Sequence, residues 1–151
     1  LRDYVEQLYE PAAKQAKEMS AKGWQRARAL QEWKSRVRET WEDVRVAEVE
    51  GSATAADVGE QREVFALVRL GRLSTDDVAV ELAHGRVGAS GELIEPQISE
   101  MTPTACEEGT CSYRGAFVTD APGLYGYAVR VVPNHPDLAN RMEMGLLAWA
   151  R

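Results

Sequence analysis

Histidine, cysteine and phenylalanine each occur only twice in the 151 residues, and the only lysines, Lys14, Lys17, Lys22 and Lys34, all stand near the start. Each scarcity excludes something. A structural zinc site needs four clustered ligands, and beside Cys106 and Cys111 the sequence offers only the distant His84 and His135. Gly-rich phosphate loops, G-x-S-x-G elbows and H-E-x-x-H helices do not occur, and the carboxylates lie on polar stretches without apolar pockets to raise their pKa values. No catalytic, cofactor-binding or metal-ligating residue is therefore assigned. The sequence also has no run of about eighteen apolar residues and no charged start followed by an apolar segment, so neither a membrane span nor a secretion signal is expected. It opens at Leu1 in helical text, which reads as a piece excised from a longer protein.

Charge is unevenly spread. The net value of −6 combines about +2 over the first 45 residues with about −8 over the remainder. An acidic remainder repels a phosphate backbone, and the front part mixes both signs as a solvated helix surface does, so nucleic acid is excluded as a partner.

What is present divides into helix and then strand. Tyr4, Leu8, Ala12, Ala16 and Met19 recur at spacings of three and four, which predicts a helix over 2–21, interrupted by Pro11. Gly23 ends it, and Leu30, Trp33, Val37 and Trp41 set the stripe of a second helix over 24–41. That stripe reads as core packing rather than a ligand platform, because large aromatics at helical spacing are buried first. From Val44 the period changes to two. Val44-Arg45-Val46 alternates, and Ala47 to Glu50 continues with its phase shifted by one, as a bulge requires. The segment 51–59, rich in small residues, reads as a loose connection. Strands are predicted over 62–70, 76–84, 93–101, 112–119, 123–132 and 142–150. The 62–70 strand is apolar on both faces, with Phe65 and Leu67 opposite Val64, Ala66 and Val68, so it asks for two covers, one an opposing sheet and the other the helices.

Gly123-x-Tyr125 after the turn Asp120-Ala121-Pro122 is close to the start of an immunoglobulin-type strand, in which a tyrosine hydroxyl bonds back to the preceding corner. The fold class expected is thus mainly β with N-terminal α: a helical pair over 1–42 and an immunoglobulin-like antiparallel β-sandwich over 43–151. Cys106 and Cys111 flank a Gly-containing turn, a spacing that suits free loop thiols or, in an oxidising compartment, a disulfide. Lone His84, at a strand end, reads as a satisfied structural donor rather than a base, and His135 between Asn134 and Pro136 as a loop-locking hydrogen bonder.

Three segments in order carry a family resemblance. Gly-Leu-Tyr-Gly-Tyr (123–127), Val-Arg-Val-Val-Pro-Asn-His-Pro-Asp-Leu (129–138) and Met-Gly-Leu-Leu-Ala-Trp-Ala (144–150) resemble the C-terminal end of bacterial and archaeal α-glucan phosphorylases. Arg2-Asp3-Tyr4-Val5-Glu6 with Leu8, Tyr9 and Pro11 resembles the helix that follows that family's catalytic core, and Leu73 to Gly85 a central strand of its terminal domain. The resemblance implies a cytoplasmic, non-catalytic region with structural, docking or oligomerising roles. The parent reaction would be phosphorolysis of α-1,4-glucan to glucose 1-phosphate. It further implies pyridoxal phosphate in the parent, held by a lysine motif that this sequence lacks, so no cofactor is expected here. The expected partners are an upstream catalytic domain, an α-glucan and a second copy of the chain. One alternative is an α-glucan-binding module using aromatics among Tyr9, Trp24, Tyr113 and Trp149; a further one is an unrelated immunoglobulin-like interaction domain.

Overall fold

Val64, Ala66 and Val68 occupy alternate positions of one strand, and burying them commits that strand to a single inward face. The computed structural model describes residues 24–51 and 55–150, and the chain divides into two compact units, Leu1–Arg36 and Val37–Arg151. The helix predicted over 2–21 lies outside the described residues. Helix α1 (Trp24–Thr40) buries Leu30, Trp33 and Val37 of the predicted stripe and is followed by a 3-10 turn, Trp41–Asp43. The strands are β1 (Arg45–Gly51), β2 (Ala55–Ala56), β3 (Gln61–Arg69), β4 (Val78–Val87), β5 (Leu93–Glu100), β6 (Thr102–Glu107), β7 (Thr110–Val118), β8 (Gly123–Pro133) and β9 (Ala148–Trp149). A capping box between Ser74 and Asp77 forms the 3-10 turn that leads into β4.

Two antiparallel sheets result. One has the order β1-β3-β7-β6; in the other β8 lies between β4 and the short strands β2 and β9, and β5 borders β4. Taking β1, β3, β7 and β6 as strands A, B, E and D, and β4, β8 and β9 as C, F and G, this is the immunoglobulin arrangement, with β5 added beside C. The chain crosses between sheets at Met101, which is buried and donates its N–H to Val80 O at 2.8 Å. Gly115 on β7 permits the close approach, because a Cβ there would lie 2.9 Å from Met101 Cγ and 3.2 Å from Leu82 Cδ2. The core between the sheets is built from Val64, Ala66, Val68, Val80, Leu82 and Val129, all at or near zero exposure.

The predicted phase shift in β1 is present as a register break between Val46 and Glu48. The structure departs from the sequence reading elsewhere, in each case for a local reason. Phe65 stays 45% exposed and Leu67 half-buried, so β3 has one covered face and one open one. The 51–59 connection contains β2, a two-residue pairing with Leu124 and Gly123 that composition does not register. β6 runs where only a cysteine loop is expected; it is an exposed edge strand whose register breaks after Pro103, a proline being tolerated only at such an edge. The last predicted strand shortens to β9, because Gly145 adopts φ +67° and its N–H closes a turn onto Met142 O at 3.0 Å.

Candidate functional site

Two of the polar clusters among the described residues involve β4. On the outer face of β4, Glu81 is buried and pairs across the strands with Arg130, whose Nε donates to Oε2 at 2.6 Å. The chain beyond β8 returns over this face, and Arg141 donates to Glu81 Oε1 at 3.0 Å and to Glu100 Oε2 at 2.8 Å. The bond to Glu100, ahead of that to Glu81, raises the Arg141 pKa further and keeps the guanidinium charged. Both Glu81 oxygens are thus occupied, so this cluster seals the outer face instead of presenting a reactive group. Arg130 also lies over Trp149, 5.5 Å from the ring centroid. Trp149, 44% exposed, lines a groove of about 610 Å³ with Trp41, Glu42, Arg45 and Leu147.

The second convergence is at the β7–β8 corner. Tyr125 is buried, its hydroxyl accepts the N–H groups of Asp120 and Ala121 at 3.2 and 3.0 Å, and it donates to Asp120 Oδ1. That is the predicted tyrosine corner, assembled because the strand's alternation turns Tyr125 inward five residues after Asp120. Beneath it lies a cavity of about 300 Å³ lined by His84, Arg86, Glu95, Gln97, Asp120 and Tyr125. His84 is only 8% exposed and stacks on Phe117 at 4.6 Å between centroids. Burial lowers its pKa, partly countered by the Asp120 charge. No described residue hydrogen-bonds its ring nitrogens, and they are not sealed from solvent, so the imidazole is held in place by stacking on Phe117.

The other singled-out residues separate into roles. His135 Nδ1 accepts the Asp137 N–H at 3.1 Å, the expected loop lock. Cys106 and Cys111 form a disulfide across the β6–β7 hairpin, in place of free loop thiols. Its two-residue turn, Glu108-Gly109, has φ +47° and +77°, the type I′ geometry that brings a cross-strand pair together. Tyr113 is buried and so leaves the set of exposed aromatics, Trp24 is 83% exposed, and Tyr9 lies outside the described residues. Among the described residues no group of three His, Cys, Asp or Glu side chains is placed to hold a metal, and no helix is long and apolar enough to cross a membrane. Sequence reading missed Arg86 and Gln97; for Arg86 the available signal was that the inward phase of β4, set by Val78, Val80 and Leu82, continues into His84 and Arg86.

Comparison with known proteins places this architecture. Residues 41–151 match the family described as the glycogen phosphorylase C-terminal domain. The chain belongs to that family. A glycogen phosphorylase of Mycobacterium tuberculosis (strain CDC 1551 / Oshkosh) is 36% identical to it over 156 residues, which cover 99% of this chain and 18% of the relative. A maltodextrin phosphorylase of Thermococcus litoralis is 28% identical over 155 residues, with the same coverage. The chain therefore spans under a fifth of the length of these relatives. The matched C-terminal domain contains no lysine, so it has no amine with which to hold pyridoxal phosphate covalently, and its residues do not fit that cofactor.

Proposed function

We propose that this chain is the non-catalytic C-terminal region of a cytoplasmic α-glucan phosphorylase, docked on a catalytic part that binds pyridoxal phosphate and converts α-1,4-glucan and phosphate to glucose 1-phosphate. The observation that carries the reading is the family match, in which 99% of the chain aligns with 18% of a glycogen phosphorylase. The open face of the β1-β3-β7-β6 sheet supports a docking role, since Phe65 is an aromatic exposed beside Leu67 in mid-sheet. The occupant of that face is the catalytic part, with residues 1–42 as its connection to the sandwich; a second copy is the rival occupant. In the full-length enzyme, Phe65→Asp is expected to leave the sandwich folded while speeding its proteolytic release from the catalytic part. Residues 1–151 alone are expected to yield no glucose 1-phosphate from glycogen and phosphate. Turnover by the purified fragment would refute the non-catalytic assignment, and concentration-dependent dimers lost in Phe65→Asp would replace catalytic docking by self-association.

A second reading, direct α-glucan binding by this domain, is favoured by the groove between Trp41 and Trp149. Arg130, itself fixed by Glu81, occupies one side of the Trp149 ring and pre-orients it, leaving exposed aromatic surface for a sugar face. Trp149→Ala is expected to abolish retardation of the chain in glycogen-containing gels if this reading holds.

A further inference from the structure

The interior layer of a sandwich is ordinarily apolar to its ends, and a buried polar group inside it is the informative exception. Along the inward positions of β4, Val78, Val80 and Leu82 give way to His84 and then Arg86. The register sets Gln97 of β5 directly beside His84 and Tyr125 of β8 directly beside Arg86, so three strands contribute to one polar end. The β4–β5 register breaks between His84 and Arg86, placing Glu95 and Pro96 on the longer side of the bulge. Glu95 adopts φ +44°, a left-handed conformation unfavourable for a non-glycine residue and more so before proline. Gly85 opposite it is closely approached, a Cβ there falling 3.0 Å from Ile94 O. Strained backbone of this kind persists where the surrounding structure holds it, and here it borders the 300 Å³ cavity in which the His84 imidazole lies.

The lining selects among ligand classes. At neutral pH the buried imidazole is uncharged and offers one donor and one acceptor, as does the Gln97 amide. One guanidinium, Arg86, and two carboxylates, Glu95 and Asp120, line the cavity, so its formal charge is about −1, which disfavours phosphate and other anions. The volume lies at the small end of the range for ligand pockets and matches one ring, not a chain. Hydroxyl groups, each both donor and acceptor, complement this mixture of side chains.

We infer that the cavity beneath the tyrosine corner binds a single neutral hexose ring, either free or as the terminal unit of an α-glucan, with His84 and Gln97 as its central hydrogen-bonding residues. The inference rests on the α-glucan reading only for the choice of sugar. Its test is a titration of the labelled 151-residue chain, followed by NMR of the His84 ring, the Gln97 side-chain amide and the Trp149 indole, with D-glucose, maltotriose and inorganic phosphate as separate probes. Glucose or maltotriose is expected to shift His84 and Gln97. Similar affinities for both would identify a free ring as sufficient, and a response to maltotriose alone would identify the chain end. Gln97→Ala, at an exposed position, and His84→Phe, which keeps a ring against Phe117, should each weaken binding at least tenfold while preserving the fold by circular dichroism. A response to phosphate but not sugar overturns the inference, as does silence of His84 and Gln97 up to roughly 50 mM sugar, a range that detects millimolar affinities. Shifts confined to the Trp149 indole also overturn it while sustaining the groove reading, and fragment turnover, a separate assay, decides the accessory role.

Discussion

The two sheets of the sandwich differ in how completely they are covered. In the β4-containing sheet every residue from Val78 to His84 is buried: the inward ones face the opposing sheet, and of the outward ones Glu81 is held by Arg141 from the returning C-terminal segment. In the β1-β3-β7-β6 sheet only the inward residues are buried, and the outer face keeps Phe65 and Leu67 in partial contact with water. Among the described residues one sheet is covered on both faces along β4 and the other keeps an exposed outer face. The difference separates residues whose loss should unfold the domain from residues whose loss should be felt only when something docks.

The largest effect is expected at the covered sheet. Leu82 is fully buried and packs toward Gly115, so Leu82→Ala removes apolar area and leaves a cavity, costing about 2 to 5 kcal/mol in a denaturant titration. A loss below 1 kcal/mol there would mean that the sheet interface is looser than described. Next comes the corner. Tyr125→Phe removes the acceptor for two N–H groups and the donor to Asp120, for an expected loss of about 1 to 3 kcal/mol.

A smaller effect, with a pH signature, is expected at Tyr113, on the inward face of the less covered sheet. Its hydroxyl is buried without a hydrogen-bond partner among the described residues, and burial pushes its pKa up to about 12. An unfolded tyrosine ionises near 10, so the folded state resists deprotonation; the associated stability is whole below about pH 10 and is lost as pH rises toward about 12. Tyr113→Phe should remove that alkaline decline and be neutral or stabilising by up to about 1 kcal/mol at pH 7, because no hydrogen bond is given up. Thermal melts of both proteins across that range decide it. The smallest intrinsic effect belongs to the open face: Phe65→Ser should change the unfolding free energy of the isolated chain by less than about 1 kcal/mol. A loss comparable to that of Leu82→Ala would show that Phe65 is covered in solution.

Much of the strand pattern was legible in the sequence, the contrast in cover was not, and the misses have physical causes. Strict alternation marks β8, where Tyr125, Val129 and Val131 are buried and Tyr127 half-buried as the phase requires, and the slipped phase at Ala47 marks the bulge in β1. β6 has no apolar alternation to read, since it is exposed on both faces and owes its existence to the tight Glu108-Gly109 turn and pairing with β7. β2 and β9 are two residues each, too short for any period. The double apolarity of β3 led to the expectation of two covers, whereas Phe65 is 45% exposed and its face of the strand is open among the described residues. The cavity was illegible because His84, Gln97 and Asp120 stand far apart in sequence and meet only through the register of β4 with β5 and the corner before β8.

The shortness of β2 and β9 has a consequence for solubility. Both pair with the side of β8 turned away from β4, β2 at Gly123 and Leu124 and β9 at Arg130 and Val131. Val129 O is already taken by the Ala150 N–H, so between the two pieces only residues 125–128 are left, a border about 14 Å long by strand rise and too short for a foreign strand to zip onto without displacing one end piece. The two fragments therefore act as stoppers on an otherwise long, valine-rich border. Trimming the chain before Ala148 would remove one of them and turn that border into a template for self-templated strand addition.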